Sequence, residues 1–289
     1  MNNLYFCIMK NNRHPVLEQI TLSLKDLYPQ EEVKSISKII CEDLLGLNYL
    51  SLYLDKDIII SDKQKKDLIS ILNRLKNFEP IQYLVKEVQF MGHSFFVDFG
   101  VLIPRPETEY LVELILKKES RAKKLLDIGT GSGCIAISLA KGLPESSVDA
   151  WEISEKAIQI AQRNNKQLKA GVNIEKRDVF QPSFQNNLYD VIVSNPPYIT
   201  EKEKESMEPN VLKWEPNLAL FVPNDKPLLY YEQIAKIAQS LLRKSGVLYF
   251  EINSFYGKEV VSMLEGLGYL HIELIADLYG NDRFIRAEL

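Results

Sequence analysis

Along residues 1–78 the apolar positions return at the three- and four-residue steps of a helix. Val33, Ile36, Ile39, Ile40, Leu44 and Leu45 form one stripe, and Leu68, Ile71, Leu72 and Leu75 form a second. Asp62 is placed to cap the start of the second helix, and Gly46 suits a stop after the first. This pattern predicts a small helical domain over 1–78 whose stripes form its own core. The texture changes near Pro80. Residues 88–103 are rich in Val, Phe and Ile and are broken by Gly92 and Gly100, which predicts a β-hairpin or paired extended segments. Pro104-Arg105-Pro106 then sets a rigid turn, so 79–106 reads as a hairpin and linker. Glu107 and Glu109 follow a proline, where acids favour a helix start, and Tyr110, Leu111, Leu114 and Ile115 give that helix an apolar face.

From residue 124 onward, strand and helix patterns alternate. Strands are predicted at 124–128, 148–152, 172–176, 189–194 and 246–252, and helices at 134–141, 154–168 and 228–242. Such alternation predicts a parallel sheet covered by helices on both faces, over a domain at 107–289. The end of the chain differs. Two strands, 269–276 and 283–289, are joined by six residues, too few for a parallel crossover, so they should pair antiparallel.

Composition narrows the class. Hydrophobic residues make up 46% of the chain and charged residues 26%, as in a globular protein and unlike a disordered one. No apolar run approaches the roughly 18 residues of a membrane helix. The apolar stretch 4–9 is too short for a signal-peptide core and no basic segment precedes it, so a cytoplasmic location without membrane contact is expected. Cys7, Cys41 and Cys134 are scattered and read as small buried hydrophobes. His14, His93 and His271 are isolated, and no metal site or catalytic triad is expected. The net charge is −4. The first 80 residues carry 11 basic and 11 acidic side chains, and the rest carry 24 and 28, so neither part reads as a clamp for nucleic acid.

Chemistry enters at two turns. The strand 124–128 runs into Gly129-Thr130-Gly131-Ser132-Gly133 and then a helix. Glycines let a ligand approach the main chain, and the helix start offers free N–H groups. No Lys follows the last glycine, which excludes a Walker loop, and the third glycine comes one residue early for the dinucleotide fingerprint. Glu152 ends the next strand, where an acid accepts hydrogen bonds from a ribose diol. Asp178, after the third strand, is placed to face an adenine amino group. Together these features indicate an adenosine-containing ligand, without separating a dinucleotide from S-adenosylmethionine.

The second turn, Ser194-Asn195-Pro196-Pro197-Tyr198, separates them. It follows the strand 189–194, at the end of a parallel strand where open sheets place their sites. The prolines supply acceptors and no donors. The Asn195 side-chain oxygen and the Pro196 carbonyl can accept the two N–H bonds of a planar amino group, and Tyr198 can stack on its plane. The nitrogen is then aimed at a sulfonium methyl. An amide nitrogen of a protein fits this constellation, and so does the exocyclic amino group of a nucleic-acid base. A non-catalytic adenosine-binding domain or an oxidoreductase would have no use for it.

These residues resemble the HemK/PrmC-type glutamine methyltransferases. The resemblance runs through Tyr83-Leu84, Phe90, Leu102-Ile103-Pro104-Arg105-Pro106-Glu107-Thr108-Glu109, and Asp127-Ile128 with the glycine loop. It continues through Asn195-Pro196-Pro197-Tyr198, Glu215-Pro216, Ala219-Leu220 and Gly280-Asn281-Asp282-Arg283. It covers roughly residues 80 to 289. It implies a seven-stranded Rossmann-like α/β sheet at 107–289 that uses S-adenosylmethionine and leaves S-adenosylhomocysteine. It also implies a small helical N-terminal domain that docks the substrate. The implied substrate is the glutamine of the Gly-Gly-Gln motif in class-1 peptide chain release factors. By this resemblance Gly129, Thr130, Gly131, Ser132, Gly133, Glu152 and Asn195 hold the cofactor, with Asp178 and Val179 near the adenine. Asn195, Pro196, Pro197 and Tyr198 hold the glutamine, and Arg105 joins the substrate side. Lys86, Lys226 and Asn253 stand where the family commonly has glycine. Glu152 replaces a commoner Asp, and Val179 an often aromatic residue.

Overall fold

The computed structural model describes residues 14–54, 58–181 and 188–289, so Cys7 and the stretch 4–9 lie outside the described residues. The chain forms two compact units, Met1–Val85 and Lys86–Leu289.

The first unit is helical. α1 (Pro15–Leu24) and α2 (Gln30–Ile39) lead into a π-helical turn, Ile40–Leu44. α3 (Tyr49–Leu54), α4 (Asp62–Lys76) and α5 (Ile81–Val85) follow. Both predicted stripes meet in one core. Val33, Ile36, Ile40 and Leu45 pack in the same cluster as Leu68, Ile71, Leu72 and Leu75. One detail is corrected. Ser61, not Asp62, caps α4. Its hydroxyl accepts from the Gln64 backbone N–H, and the Gln64 side chain accepts from the Ser61 N–H, a reciprocal capping box that makes Asp62 the first helical residue.

In the second unit, β1 (Glu87–Phe90) and β2 (His93–Phe96) pair antiparallel. Met91 and Gly92 join them, both at positive φ (50° and 71°), the two-residue turn whose twist matches its strands. The expected extended run to 103 ends at Phe96. Residues 97–103 are irregular, yet Val97, Val101 and Ile103 are buried. α6 (Pro106–Lys118) begins with the expected proline, and Arg105 is its N-cap.

The main sheet is built from β3 (Lys124–Ile128), α7 (Cys134–Gly142), β4 (Ser147–Glu152), α8 (Glu155–Leu168), β5 (Asn173–Lys176) and β6 (Tyr189–Ser194). A small parallel pair, β7 (Ile199–Thr200) and β8 (Phe221–Val222), encloses α9 (Pro209–Trp214) and α10 (Asn217–Leu220). Then come α11 (Leu229–Leu241), β9 (Leu242–Glu251), α12 (Gly257–Gly266), β10 (Leu270–Ala276) and β11 (Asp282–Glu288). Seven strands lie in the order β10-β11-β9-β6-β3-β4-β5. β11 runs antiparallel to both its neighbours, as the short final connection required. Alternate residues bury on opposite faces. Leu125, Val148, Ala150, Val191, Val193 and Tyr249 pack with α6 and α7, while Leu126, Ile128, Ile192, Leu248 and Phe250 pack with α11 and α12. The hydrophobic pattern gave no sign of α12, a short helix bounded by glycines that buries only Gly257, Val260 and Leu264.

From β3 the chain winds to β4 and β5, then returns to lay β6 on the other side of β3. The carboxyl ends of β3 and β6 therefore flank the point where strand order reverses, the usual ligand crevice of an open α/β sheet. Among the described residues no helix is long and apolar enough to cross a membrane.

Candidate active site

A cleft of about 280 Å³ opens at that crevice. One wall is the glycine loop. Cβ atoms built on Gly129 or Gly131 would meet nothing within 4 Å, so the backbone itself faces the opening. Gly131 lies at φ +56°, a conformation costly for any residue with a Cβ. Gly133 is different and does not line the cleft. A Cβ there would come 2.9 Å from Ile137 Cδ1 and 3.3 Å from Ala161 Cβ, so this glycine lets α7 pack against α8. Beneath the loop, Asp127 is fully buried. It accepts from the Thr130 hydroxyl (2.6 Å) and the Ala136 N–H (3.2 Å), and burial pushes its carboxyl up to about 7.

Glu152 sits at the end of β4 and lines the cleft. Its Oε2 accepts from the Gly131 N–H at 2.9 Å, and its Oε1 accepts from the N–H groups of Ile153 and Ser154 at 2.8 and 2.9 Å. The longer side chain that replaces the commoner Asp thus holds the glycine loop as well as facing the cleft. A carboxylate has about four lone-pair sites, so acceptor capacity remains for a ligand hydroxyl. Beyond it lie Asp178, Val179, Phe180, Tyr230 and Ile234. Asp178 accepts from the Phe180 N–H at 2.9 Å. Phe180 and Tyr230 meet edge to face, with centroids 5.5 Å apart. These two rings were missed by sequence reasoning. Phe180, two residues past Asp178, was the available signal.

A second wall is Ser194, Asn195, Pro196 and Pro197, at the end of the adjacent strand β6. The Ser194 hydroxyl donates to the Ile128 carbonyl at 2.6 Å, which ties the ends of β6 and β3 together. Asn195 Nδ2 lies 3.5 Å from Thr108 Oγ1. Thr108, on the first turn of α6, donates to Glu251 Oε2 at 2.7 Å. Tyr198 does not line the cleft. Its ring packs against the cluster on the α11 face, and its hydroxyl reaches Glu251 Oε1 at 3.4 Å. Arg105 lines the cleft but spends charge on Glu215, a buried carboxylate that also accepts from the Ile103 N–H at 3.2 Å. That pair joins the Pro-Arg-Pro turn to the Glu-Pro segment. Asn164, also unforeseen, is fully buried and bonds both the N–H and carbonyl of Phe96 and the carbonyl of Ser132. It fastens the hairpin to the glycine loop. Among the described residues no cluster of His, Cys, Asp or Glu could hold a metal ion.

The chain is 52% identical over 269 residues to a release factor glutamine methyltransferase of Bacteroides thetaiotaomicron, covering 93% of this chain and 97% of that one. It is 42% identical to the enzyme of the same name from Flavobacterium psychrophilum, covering 96% and 98%. The chain belongs to the release factor glutamine methyltransferase family. Residues 16–85 match the PrmC N-terminal domain, and residues 106–213 match the Methyltransferase small domain. In fold, the chain is similar to a methyltransferase from Pyrococcus furiosus, with TM-score 0.53 and 18% identity over 76% of this chain and 98% of that one. A 16S rRNA N2 G1207 methyltransferase from Thermus thermophilus, solved with AdoMet and guanosine, aligns with TM-score 0.50 and 18% identity, covering 70% and 49%. This is the Rossmann-like fold of S-adenosylmethionine-dependent methyltransferases, and the chain is a methyltransferase.

Two departures from the family pattern have structural counterparts. Lys86 lies at φ +67°, where glycine is favoured, and its ammonium pairs with Asp98. Asn253 donates to the Tyr198 carbonyl and to Glu203 Oε1, both at 3.1 Å, and so pins the far end of the Asn-Pro-Pro-Tyr turn. Nothing in the structure explains Lys226.

Proposed function

We propose that this enzyme transfers a methyl group from S-adenosylmethionine to the side-chain amide nitrogen of the glutamine in the Gly-Gly-Gln motif of class-1 release factors. The observation that carries the reading is that Asn195 and Pro196 line the same cleft as Gly129 and Gly131, at the ends of the neighbouring strands β6 and β3. The cleft fits the cofactor on its own terms. It offers open backbone at two glycines, a carboxylate for a ribose at Glu152, and an apolar, aromatic end at Val179, Phe180, Tyr230 and Ile234 beside the Asp178 carboxylate. The bound cofactor supplies an electrophilic methyl on a positively charged sulfur.

The chain's own residues deal with the nitrogen. An amide lone pair is delocalised into its carbonyl, so orientation matters more than basicity. Asn195 Oδ1 and the Pro196 carbonyl accept the two N–H bonds and hold the nitrogen in line with the methyl. As the C–N bond forms, the C–S bond breaks. The alkylated nitrogen becomes strongly acidic and releases one proton to water. The methyl donor would leave as the neutral thioether S-adenosylhomocysteine. Arg105, held by Glu215, supports the approach of the substrate loop. The helical unit is the docking surface for the rest of the release factor, with exposed Leu22, Leu50, Leu54 and Ile59 available to it. An enzyme of this specificity works in the cytoplasm.

The test is incorporation of labelled methyl from S-adenosylmethionine into a purified class-1 release factor, followed by peptide mapping. Label on the Gly-Gly-Gln glutamine supports the reading. Label only on another protein site, or on the amino group of a nucleic-acid base, overturns it.

A further inference from the structure

We infer that Thr108 and Glu251 are positioning residues that decide which end of the Asn195 amide faces the substrate. They come from different elements, the first turn of α6 and the end of β9, and are 3% and 2% exposed. A threonine hydroxyl carries one proton. Here that proton goes to Glu251 Oε2 over 2.7 Å, so Thr108 Oγ1 is left to accept, and Asn195 Nδ2 lies 3.5 Å from it. An ionised carboxylate can only accept. It therefore sets the direction of both bonds: Asn195 gives its N–H to Thr108 and turns Oδ1 to the cleft. That is the polarity methyl transfer to an amide requires, because the substrate nitrogen presents two donors.

The inverse arrangement shows why the charge matters. A protonated Glu251 can donate to Thr108, and Thr108 can then turn its own proton toward Asn195. The Asn195 amide would answer with Oδ1 and present its NH2 to the substrate NH2, donor against donor. Glu251 is poised for this choice. Burial and Glu107 push its carboxyl up, while the Arg283 guanidinium and the Thr108 and Tyr198 hydroxyls pull it down, with a balance of about 7. Cys134 and Tyr231 also face it, and both stay protonated because burial raises them. Turnover should therefore rise with pH through about 7 as Glu251 ionises.

The inference rests on Asn195 being the acceptor for the substrate amide. Its test is the single-turnover rate with purified release factor at saturating S-adenosylmethionine, measured across pH 5.5–8.5, roughly the span that brackets this ionisation. Thr108→Val keeps the shape and removes the hydroxyl. It should lower the rate about tenfold to a hundredfold, the scale of a misaimed reacting group, with KM for the release factor and cofactor affinity near wild type. Thr108→Ser should restore the rate and the acid limb. Glu251→Gln, whose amide can donate or accept, should lower the rate and abolish the acid limb.

A merely structural role would lower the melting temperature and leave the pH profile in place. If Thr108→Val fails to fold, the profile of Glu251→Gln decides. A folded Thr108→Val at the wild-type rate, or a Glu251→Gln that keeps the acid limb, overturns the inference. A wild-type enzyme that does not methylate release factor overturns instead the reading on which it rests.

Discussion

The two walls of the cleft are held by different means. On the glycine side the supports are near in sequence. The N–H groups of Gly129 and Thr130 bond the Trp151 carbonyl, and that of Gly131 bonds Glu152, so one strand-turn-helix and the next strand complete the wall. On the Asn-Pro-Pro-Tyr side the supports are remote. Thr108 lies 87 residues before Asn195, and Glu251 and Asn253 lie 53 and 55 residues after Tyr198. A cofactor with invariant chemistry can be met by backbone, which needs only glycine and a short repeat. A nitrogen that must be aimed needs side chains locked from several directions, and the fold brings these from three elements.

The sharpest way to break this contrast is to remove the aiming group. Asn195→Ala should lower single-turnover rates at least about a hundredfold, since misplacement by about 1 Å costs that much. Calorimetry should show a smaller loss of cofactor affinity than Gly131→Val gives, because the backbone wall is intact. Loss of binding with little loss of rate would reverse the roles of the two walls.

Gly131→Val strikes the other wall. A β-branched residue at φ +56° carries a strain of about 1–2 kcal/mol, and its methyls enter the space beside the backbone. Cofactor binding should be abolished in the folded variant, read by calorimetry. Gly133→Ala offers the control. Its Cβ would crowd Ile137 and Ala161, so it should lower the melting temperature more than it alters the shape of the cleft. Equal binding losses from both substitutions would mean the loop responds as one body.

The contrast also explains what was readable. The strands at 124–128 and 189–194, the glycine loop and the antiparallel end follow from period-two burial, turn residues and a six-residue connection, all local rules. The stripes of the helical unit were readable for the same reason. The capping serine was overlooked because Asp62 competes with Ser61 for the same role, and only the reciprocal Gln64 bond separates them. Thr108 and Glu251 were not readable as partners. A threonine after a helix start and an acid at a strand end are each ordinary, and only the folded contact between α6 and the end of β9 joins them. Arg105 was readable as a special residue, but its pairing with Glu215 lies 110 residues away.

Glu152→Ala should have a smaller effect than Gly131→Val at saturating cofactor, yet it touches both stability and binding. Three backbone N–H groups lose their acceptor, and a ribose bound as proposed would lose a charged partner. Affinity should weaken by about 1.5–3 kcal/mol, the range for hydrogen bonds to a charged group, with a lower melting temperature in the same variant. Glu152→Asp separates the two effects. A shorter carboxylate cannot span both the loop and the Ile153 and Ser154 N–H groups, so it should recover affinity more than stability. An affinity change below a few tenths of a kcal/mol in Glu152→Ala would place the carboxylate off the ribose.

The smallest effect is expected at Tyr198, and it tests how far the remote network extends. The hydroxyl meets Glu251 at 3.4 Å, a long contact, while the ring packs in the apolar cluster. Burial pushes the phenol well above its usual range, so it stays protonated at every pH where the enzyme is assayed and adds no ionisation of its own. Tyr198→Phe keeps the ring and should cost under about 1 kcal/mol in stability and at most a few-fold in turnover, consistent with one weak hydrogen bond. Because that bond helps hold Glu251 ionised, its loss should move the midpoint of the acid limb upward, toward higher pH, more visibly than it lowers the plateau. Tyr198→Ala removes the packed ring and should be severe in both stability and rate. A hundredfold loss in Tyr198→Phe, matching Asn195→Ala, would make the hydroxyl part of the aiming apparatus and the network larger than the geometry implies.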